Sequence, residues 1–101
     1  MKKLSLRFSP RAQHEFSEIR SYLNKEVSSA IARQQLKRIK DAIGRLRSFP
    51  DIGLLSYTYA GPCRRWFISP YVILYLSDEK SLSILHILHG SQDLSLYIRS
   101  E

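Results

Sequence analysis

Residues 71–90 read YVILYLSDEKSLSILHILHG, and this stretch decides the architecture. Two apolar runs, Tyr71–Leu76 and Leu82–His89, flank the polar segment SDEKS. Each run has the length of a strand, is rich in Ile, Leu, Val and Tyr, and is too short for a free-standing helix. The polar break between them supplies a hairpin turn. Alternation places Tyr71, Ile73 and Tyr75 on one face of the first strand and Val72, Leu74 and Leu76 on the other. On the second strand Leu82, Ile84, His86 and Leu88 oppose Ser83, Leu85, Ile87 and His89. Both faces are largely apolar, so the hairpin belongs in the middle of a sheet with a cover on each side. The chain's own helices can supply one cover, and the opposite side is a candidate surface for a partner.

Upstream of the hairpin, Arg64–Ser69 alternates Arg64, Trp66 and Ile68 against Arg65, Phe67 and Ser69. Gly61-Pro62 is a turn, Leu55–Ala60 (LSYTYA) reads as a short strand with Tyr57 and Tyr59 on one face, and Pro50-Asp51-Ile52-Gly53 is another turn. At the start of the chain, Lys3–Phe8 sets Leu4, Leu6 and Phe8 against Lys3, Ser5 and Arg7, a first strand. Two helices lie between. Ser9 is a good N-cap and Pro10 suits the first helical position, after which Ala12, Phe16, Ile19 and Leu23 repeat on one side. Asn24–Ser28 interrupts this helix, and Ser28 or Ser29 caps the next. There Ala32, Leu36, Ile39, Ile43 and Leu46 form an apolar stripe, while Arg33, Lys37, Arg38, Lys40, Arg45 and Arg47 face the single acid Asp41. The second helix should end near Phe49-Pro50, because proline disfavours helical geometry in the residue before it. Beyond Gly90, Leu94, Tyr97 and Ile98 recur at helical spacing within Ser91–Arg99, so a short helix or ordered tail is expected.

The predicted fold class is therefore α+β in one domain over residues 1–101. It comprises an N-terminal strand, an antiparallel helical hairpin, a mostly antiparallel three- to four-stranded sheet and a short C-terminal helix or tail. A chain of 101 residues with 44% hydrophobic content is long enough to bury a single core. The net charge of +7 suggests an anionic partner: nucleic acid, an acidic protein segment or a nucleoprotein machine. A lone cysteine, Cys63, excludes an internal disulfide and a multi-thiolate zinc site. No apolar run reaches the ~20 residues of a membrane helix, and the start MKKLSLRFSPR lacks an apolar h-region. The expectation is a cytoplasmic protein that does not engage membranes.

No phosphate-cradling glycine loop, metal-ligand cluster or nucleophile elbow stands out, so neither metal nor cofactor is expected. Two readings stay open for the basic side of the second helix: a solvated face, or a docking stripe that includes Arg33, Lys37 and Lys40. Arg64 and Arg65 beside Trp66 can serve a partner through cation–π or acidic contacts, or can pair structurally with Asp51, Asp78 or Glu79. His86 among apolar neighbours reads as hydrogen-bonded and half-buried, and His89 as the more exposed. Cys63 falls in an expected turn and reads as inert. Cleaving RNA through its 2′-hydroxyl needs a general base, a general acid and cations at the developing phosphorane charge. The candidates for that chemistry are Arg64, His89 and Tyr97, with Arg65 and His86 as alternates.

Taken in order, the features are a strand, an SPRA-started helix, a basic helix ending in LRSFP, Gly53, Arg64, Tyr71–Tyr75, and ILHILHG followed by Asp93. This order resembles the ParE/RelE superfamily of bacterial toxins from type II toxin–antitoxin modules, from Leu4 to about Asp93. The most specific combination is Pro50 with Gly53, Arg64 eleven residues before Tyr75, and His89-Gly90 with Asp93. The chain looks more like the ParE branch, whose last strand typically ends in a His-Gly-x-x-Asp pattern. Where such members often carry Arg, this chain has Gln92. The resemblance implies a RelE/ParE-like fold and a cognate antitoxin with a DNA-binding N-terminus and an extended C-terminal segment. It implies DNA gyrase as the target for the ParE type, inhibited by binding, and ribosome-bound mRNA for the RelE type, cut by an endonuclease. An inactive, regulatory member is a third possibility. Candidate partner-binding residues are Arg33, Lys37, Lys40, Arg64, Arg65, Trp66, His89 and Tyr97. No catalytic residue is expected in the ParE reading.

Overall fold

A computed structural model describes residues 3–98. In chain order it contains β1 (Ser5–Phe8), α1 (Pro10–Glu26), α2 (Ser29–Ser48), a 3-10 turn (Pro50–Ile52), β2 (Leu54–Thr58), β3 (Gly61–Ile68), β4 (Tyr71–Ser77), β5 (Ser81–His89) and a second 3-10 turn (Leu94–Leu96). The strands form one sheet in the order β1-β5-β4-β3-β2. The last four strands pair antiparallel, and β1 adds parallel to β5. This is the α+β arrangement expected, with all four strands after the helices present. Arg99, at the end of the expected C-terminal segment, lies outside the described residues.

The helix boundaries follow from local chemistry. Ser9 Oγ accepts from the Ala12 N–H at 3.0 Å and donates to the Leu85 carbonyl at 2.8 Å, so one hydroxyl both caps α1 and ties it to β5. Ser28 caps α2 by accepting from the Ile31 N–H. Phe49 stops α2, its N–H still donating to the Arg45 carbonyl. Both helices lie on one face of the sheet. Ala12, Ile39, Ile43 and Leu46 pack against Ile68, Tyr71, Ile73, Tyr75, Leu82, Ile84 and Ile87. Each fully buried Leu or Ile there contributes about 1.5–3 kcal/mol relative to exposure. Among the described residues, no helix is long and apolar enough to cross a membrane.

Two expectations need correction. First, strict alternation along β5 fails, because the register with β4 shifts between Leu74 and Tyr75 and leaves Leu85 as an extra residue. The bulge inverts the pattern. Leu82, Ile84 and Ile87 face the helices, while Leu88 joins Val72 and Leu74 on the other side. Second, that other side is not bare at its centre. Leu85 and the C-terminal residues Leu94, Tyr97 and Ile98 pack over Val72, Leu74 and Leu88, so the chain supplies part of its own second cover.

Candidate functional site

The register of β3 against β4 decides which groups are available. Trp66 pairs with Ile73 and Ile68 with Tyr71, directing these side chains under the helices, while Phe67 pairs with Val72 on the far face. Trp66 is consequently half-buried against the main core, and Phe67 is 52% exposed. The exposed aromatic of this strand is Phe67, whereas Trp66, the expected partner contact, packs against the core beneath the helices. Leu54, opposite Arg65 on β2, is 57% exposed, and Leu76 is 43% exposed on the same far face. These residues form an apolar band beside the strip sealed by the C-terminal segment. Arg65 lies within the band, its guanidinium carbon 5.5 Å from the Phe67 ring centroid. Its Nε is buried without a hydrogen-bond partner. Strand β2 is an edge of the sheet, bridged near its end by Ile98 opposite Thr58.

Arg64 has a structural task. It reaches the Asp51 and Gly53 carbonyls at 3.2 and 2.8 Å and the Asp51 carboxylate at 3.8 Å. Beside it, the Tyr75 hydroxyl accepts from the Gly53 N–H at 2.9 Å and donates to the Pro50 carbonyl at 2.7 Å. A Cβ on Gly53 would come within 2.8 Å of the Tyr75 Cε1, which is why glycine stands there. Burial pushes the Tyr75 phenol above its ordinary pKa, keeping it a neutral donor. The Pro50–Gly53 motif and Arg64 are thus parts of one latch that holds the end of α2 to the sheet.

The histidines sit at the other end of the hairpin. Past Ile84, β5 has no β1 neighbour, and α1 fills the gap with Glu15. Its carboxylate accepts from the Ile87 N–H at 3.0 Å and lies 3.1 Å from His86 Nδ1. The His86 ring meets Tyr97 edge-on at 4.9 Å, as a half-buried, hydrogen-bonded histidine should. His89 is exposed, with Nδ1 accepting from the Ser91 N–H and the ring edge-on to Tyr71. Gln92 closes the turn after β5: its Oε1 accepts from the His89 N–H at 2.7 Å while its own N–H donates to the His89 carbonyl. An arginine has no side-chain acceptor and cannot make the first of these bonds. Burial raises the Tyr71 phenol, reinforced by Tyr22. A cleft of about 790 Å3 opens here, lined by Tyr22, Ile31, Tyr71, His89, Gln92 and Tyr97 among others.

The three nuclease candidates do not converge. Arg64 pairs with Tyr75 and His89 with Tyr71 at opposite ends of β4, about 13 Å apart along the strand. His89 and Tyr97 share the cleft, but Arg64 is committed to the latch. Cys63 lies inside β3 rather than in a turn, because pairing resumes at Gly61, whose φ of 134° makes the reversal. The thiol is buried and its pKa pushed up by that burial. Among the described residues, no group of three or more His, Cys, Asp or Glu could hold a metal ion. Arg33, Lys37 and Lys40 lie exposed on α2, and Lys37 pairs with Asp41 at 2.7 Å. Sequence reading missed Phe67, Leu54 and Glu15. Alternation had placed Phe67 opposite Trp66 in orientation, yet only the pairing with β4 tells which of them meets solvent.

Comparison with known proteins completes the picture. Among curated proteins nothing matches. A solved structure of the chromosomal ParDE TA system from P. aeruginosa includes a chain that aligns with TM-score 0.70 at 16% sequence identity. The alignment covers 86% of this chain and 96% of that one. At such identity the likeness speaks for the fold. The family described as the ParE toxin of the type II toxin-antitoxin system, parDE, matches residues 6–94, from β1 to the turn after Asp93. On that extent of match, the chain belongs to the ParE toxin family of type II toxin–antitoxin systems.

Proposed function

We propose that this toxin inhibits DNA gyrase by protein–protein binding, performs no chemistry of its own, and is neutralised in the cytoplasm by a cognate antitoxin. The observation that carries the reading is the family match over residues 6–94. The separation of Arg64 from His89 and Tyr97 supports binding over RNA cleavage, since acid, base and charge-stabilising groups must meet at one phosphate. The exposed band of Leu54, Phe67 and Leu76 around Arg65 supplies what an extended antitoxin segment needs: apolar anchors, a cation for an acidic side chain, and the β2 edge for main-chain pairing. Charge opposition between the basic toxin and an acidic segment speeds capture. His89 and Tyr97, lining the cleft, form a second contact region.

The test is a supercoiling assay with purified gyrase and relaxed plasmid. The expected result is loss of supercoiling with accumulation of cleaved DNA, reversed by the protein encoded beside the toxin. Full gyrase activity together with cleavage of mRNA on programmed ribosomes would establish the RelE-type alternative instead.

A further inference from the structure

We infer that the outer face of α2 binds the phosphate backbone of duplex DNA without reading its sequence, a property separate from gyrase inhibition and testable without it. The first observation is where the charge resides. Helix α1 balances Arg11, Arg20 and Lys25 against Glu15, Glu18 and Glu26. Helix α2 carries Arg33, Lys37, Arg38, Lys40, Arg45 and Arg47 against Asp41 alone, so five of the chain's seven net positive charges lie on this one element. Three of the cations are partly engaged, Arg38 with Gln35, Arg47 with the Leu4 carbonyl and Lys37 with Asp41. Arg33, Lys37 and Lys40 are exposed and follow one another at helical spacing, with Gly44 next in the row. Arg33 to Lys40 spans about 10 Å of helix, a length over which duplex DNA presents about six negative charges.

The second observation is Gly44. Glycine is unfavourable inside a helix, and packing does not require it here, since a Cβ at this position would meet nothing within 4 Å. The missing side chain leaves a flat place one turn beyond Lys40, where a backbone can approach α2 closely.

The third observation selects the partner. Stable protein interfaces rest on buried aromatic or aliphatic anchors, and this row has none. The one large exposed hydrophobic residue of α2 is Ile31, which lines the cleft. Without aromatic groups the row has no stacking platform for single strands. A row of compact cations on a rigid helix suits phosphates, contacts that position a duplex but do not specify sequence. The Lys37–Asp41 pair is exposed on both sides and yields readily to a phosphate in water.

The experiment measures fluorescence anisotropy of a labelled mixed-sequence DNA duplex with the full chain across a KCl series. Binding should weaken with a log–log salt slope of about −3, as for three or four neutralised phosphates. Combined Arg33→Gln, Lys37→Gln and Lys40→Gln should lower affinity at least about tenfold and flatten the slope by about 2–3, with the circular dichroism spectrum unchanged. Gly44→Leu should also weaken binding while its melting temperature stays level or rises. Combined Arg20→Gln, Lys25→Gln and Lys80→Gln, which removes equal charge elsewhere, should leave affinity within about twofold. No binding at low salt, or a triple variant that binds like the parent, overturns the proposal. Unchanged affinity in Gly44→Leu overturns the close approach. Tighter binding to polyglutamate than to the duplex assigns the face to an acidic protein instead and equally overturns it.

Discussion

One face of the sheet is covered by two long helices, the other by a strap of a few residues after β5. Beneath the helices, Ile39, Leu46, Ile73, Tyr75, Leu82 and Ile84 are fully buried, and backbone turns are locked by side chains from the core. On the far face, Val72, Leu74 and Leu88 are sealed, yet Leu54 and Phe67 a strand or two away stand open. The difference separates two uses of apolar surface. Residues under the helices hold the fold, whereas those beside the strap are spare for stability and available for recognition.

The largest effect should come from emptying the helix side. Ile84→Ala leaves a cavity against α1 and α2 and should cost about 2–5 kcal/mol by urea unfolding. Phe67→Ala on the far face should cost under about 1 kcal/mol and instead weaken antitoxin capture. If Phe67→Ala unfolds the protein as severely as Ile84→Ala, the division between the faces is wrong.

Next in size is the latch. Tyr75→Phe preserves the packing but strands the Gly53 N–H and leaves the Pro50 carbonyl short of a donor. A cost of about 1–3 kcal/mol is expected, measurable as a lower urea midpoint at unchanged m-value. A neutral outcome would mean that water reaches Gly53, and that the helix side is less sealed than its burial implies.

Much of this division can be read in the sequence, and some of it cannot, for identifiable reasons. Caps are local, so Ser9, Ser28 and the Phe49-Pro50 stop are legible from a few adjacent residues. The central hairpin is legible because its two apolar runs bracket an obvious turn. The bulge at Leu85 is not, since both faces of ILHILHG are apolar and no polar residue marks the change of phase. What holds the bulged edge is Glu15, more than seventy residues earlier, and no local pattern reveals that partner. The spacing of Leu94, Tyr97 and Ile98 predicts a short helix or ordered tail for the strap, but says nothing about the surface they cover. Of the partner candidates, Arg64 makes the structural pairing with Asp51 that its sequence context also allows.

The strap gives a smaller, sharper test. Tyr97 packs on the far-side cluster and edges the His86 ring. Tyr97→Ala should cost about 1–2 kcal/mol, well below Ile84→Ala, and should expose Val72, Leu74 and Leu88 to a hydrophobic dye. Hydrogen exchange should speed up in residues 85–98 while α2 stays protected. Uniform loss of protection would show the strap to be integral to the core rather than laid over it.

The smallest effect belongs to the residue that begins the strap. Asp93 accepts from the Ser95 N–H at 3.0 Å and from the Ser95 hydroxyl at 2.6 Å, and these bonds hold its carboxyl below the usual 3.8. A depressed folded-state pKa means that the carboxylate stabilises the fold fully above the unfolded value of about 4, and that this contribution fades as pH falls through the lower folded value. Asp78 behaves alike in the β4–β5 turn, its carboxyl lowered by bonds from the Lys80 and Ser81 backbone and the Ser81 hydroxyl. Asp93→Asn keeps an acceptor for Ser95 but cannot titrate. Its melting temperature should sit near that of the parent at neutral pH and fall less on acidification, while hydrogen exchange in residues 94–98 becomes less acid-sensitive. Asp78→Asn should blunt the acid response of the hairpin turn and leave the strap unaffected, because Asp78 makes its bonds only there. Should both variants change the acid response of the strap equally, the two ends of β5 are coupled, and the far-face cover is not the independent element its packing describes.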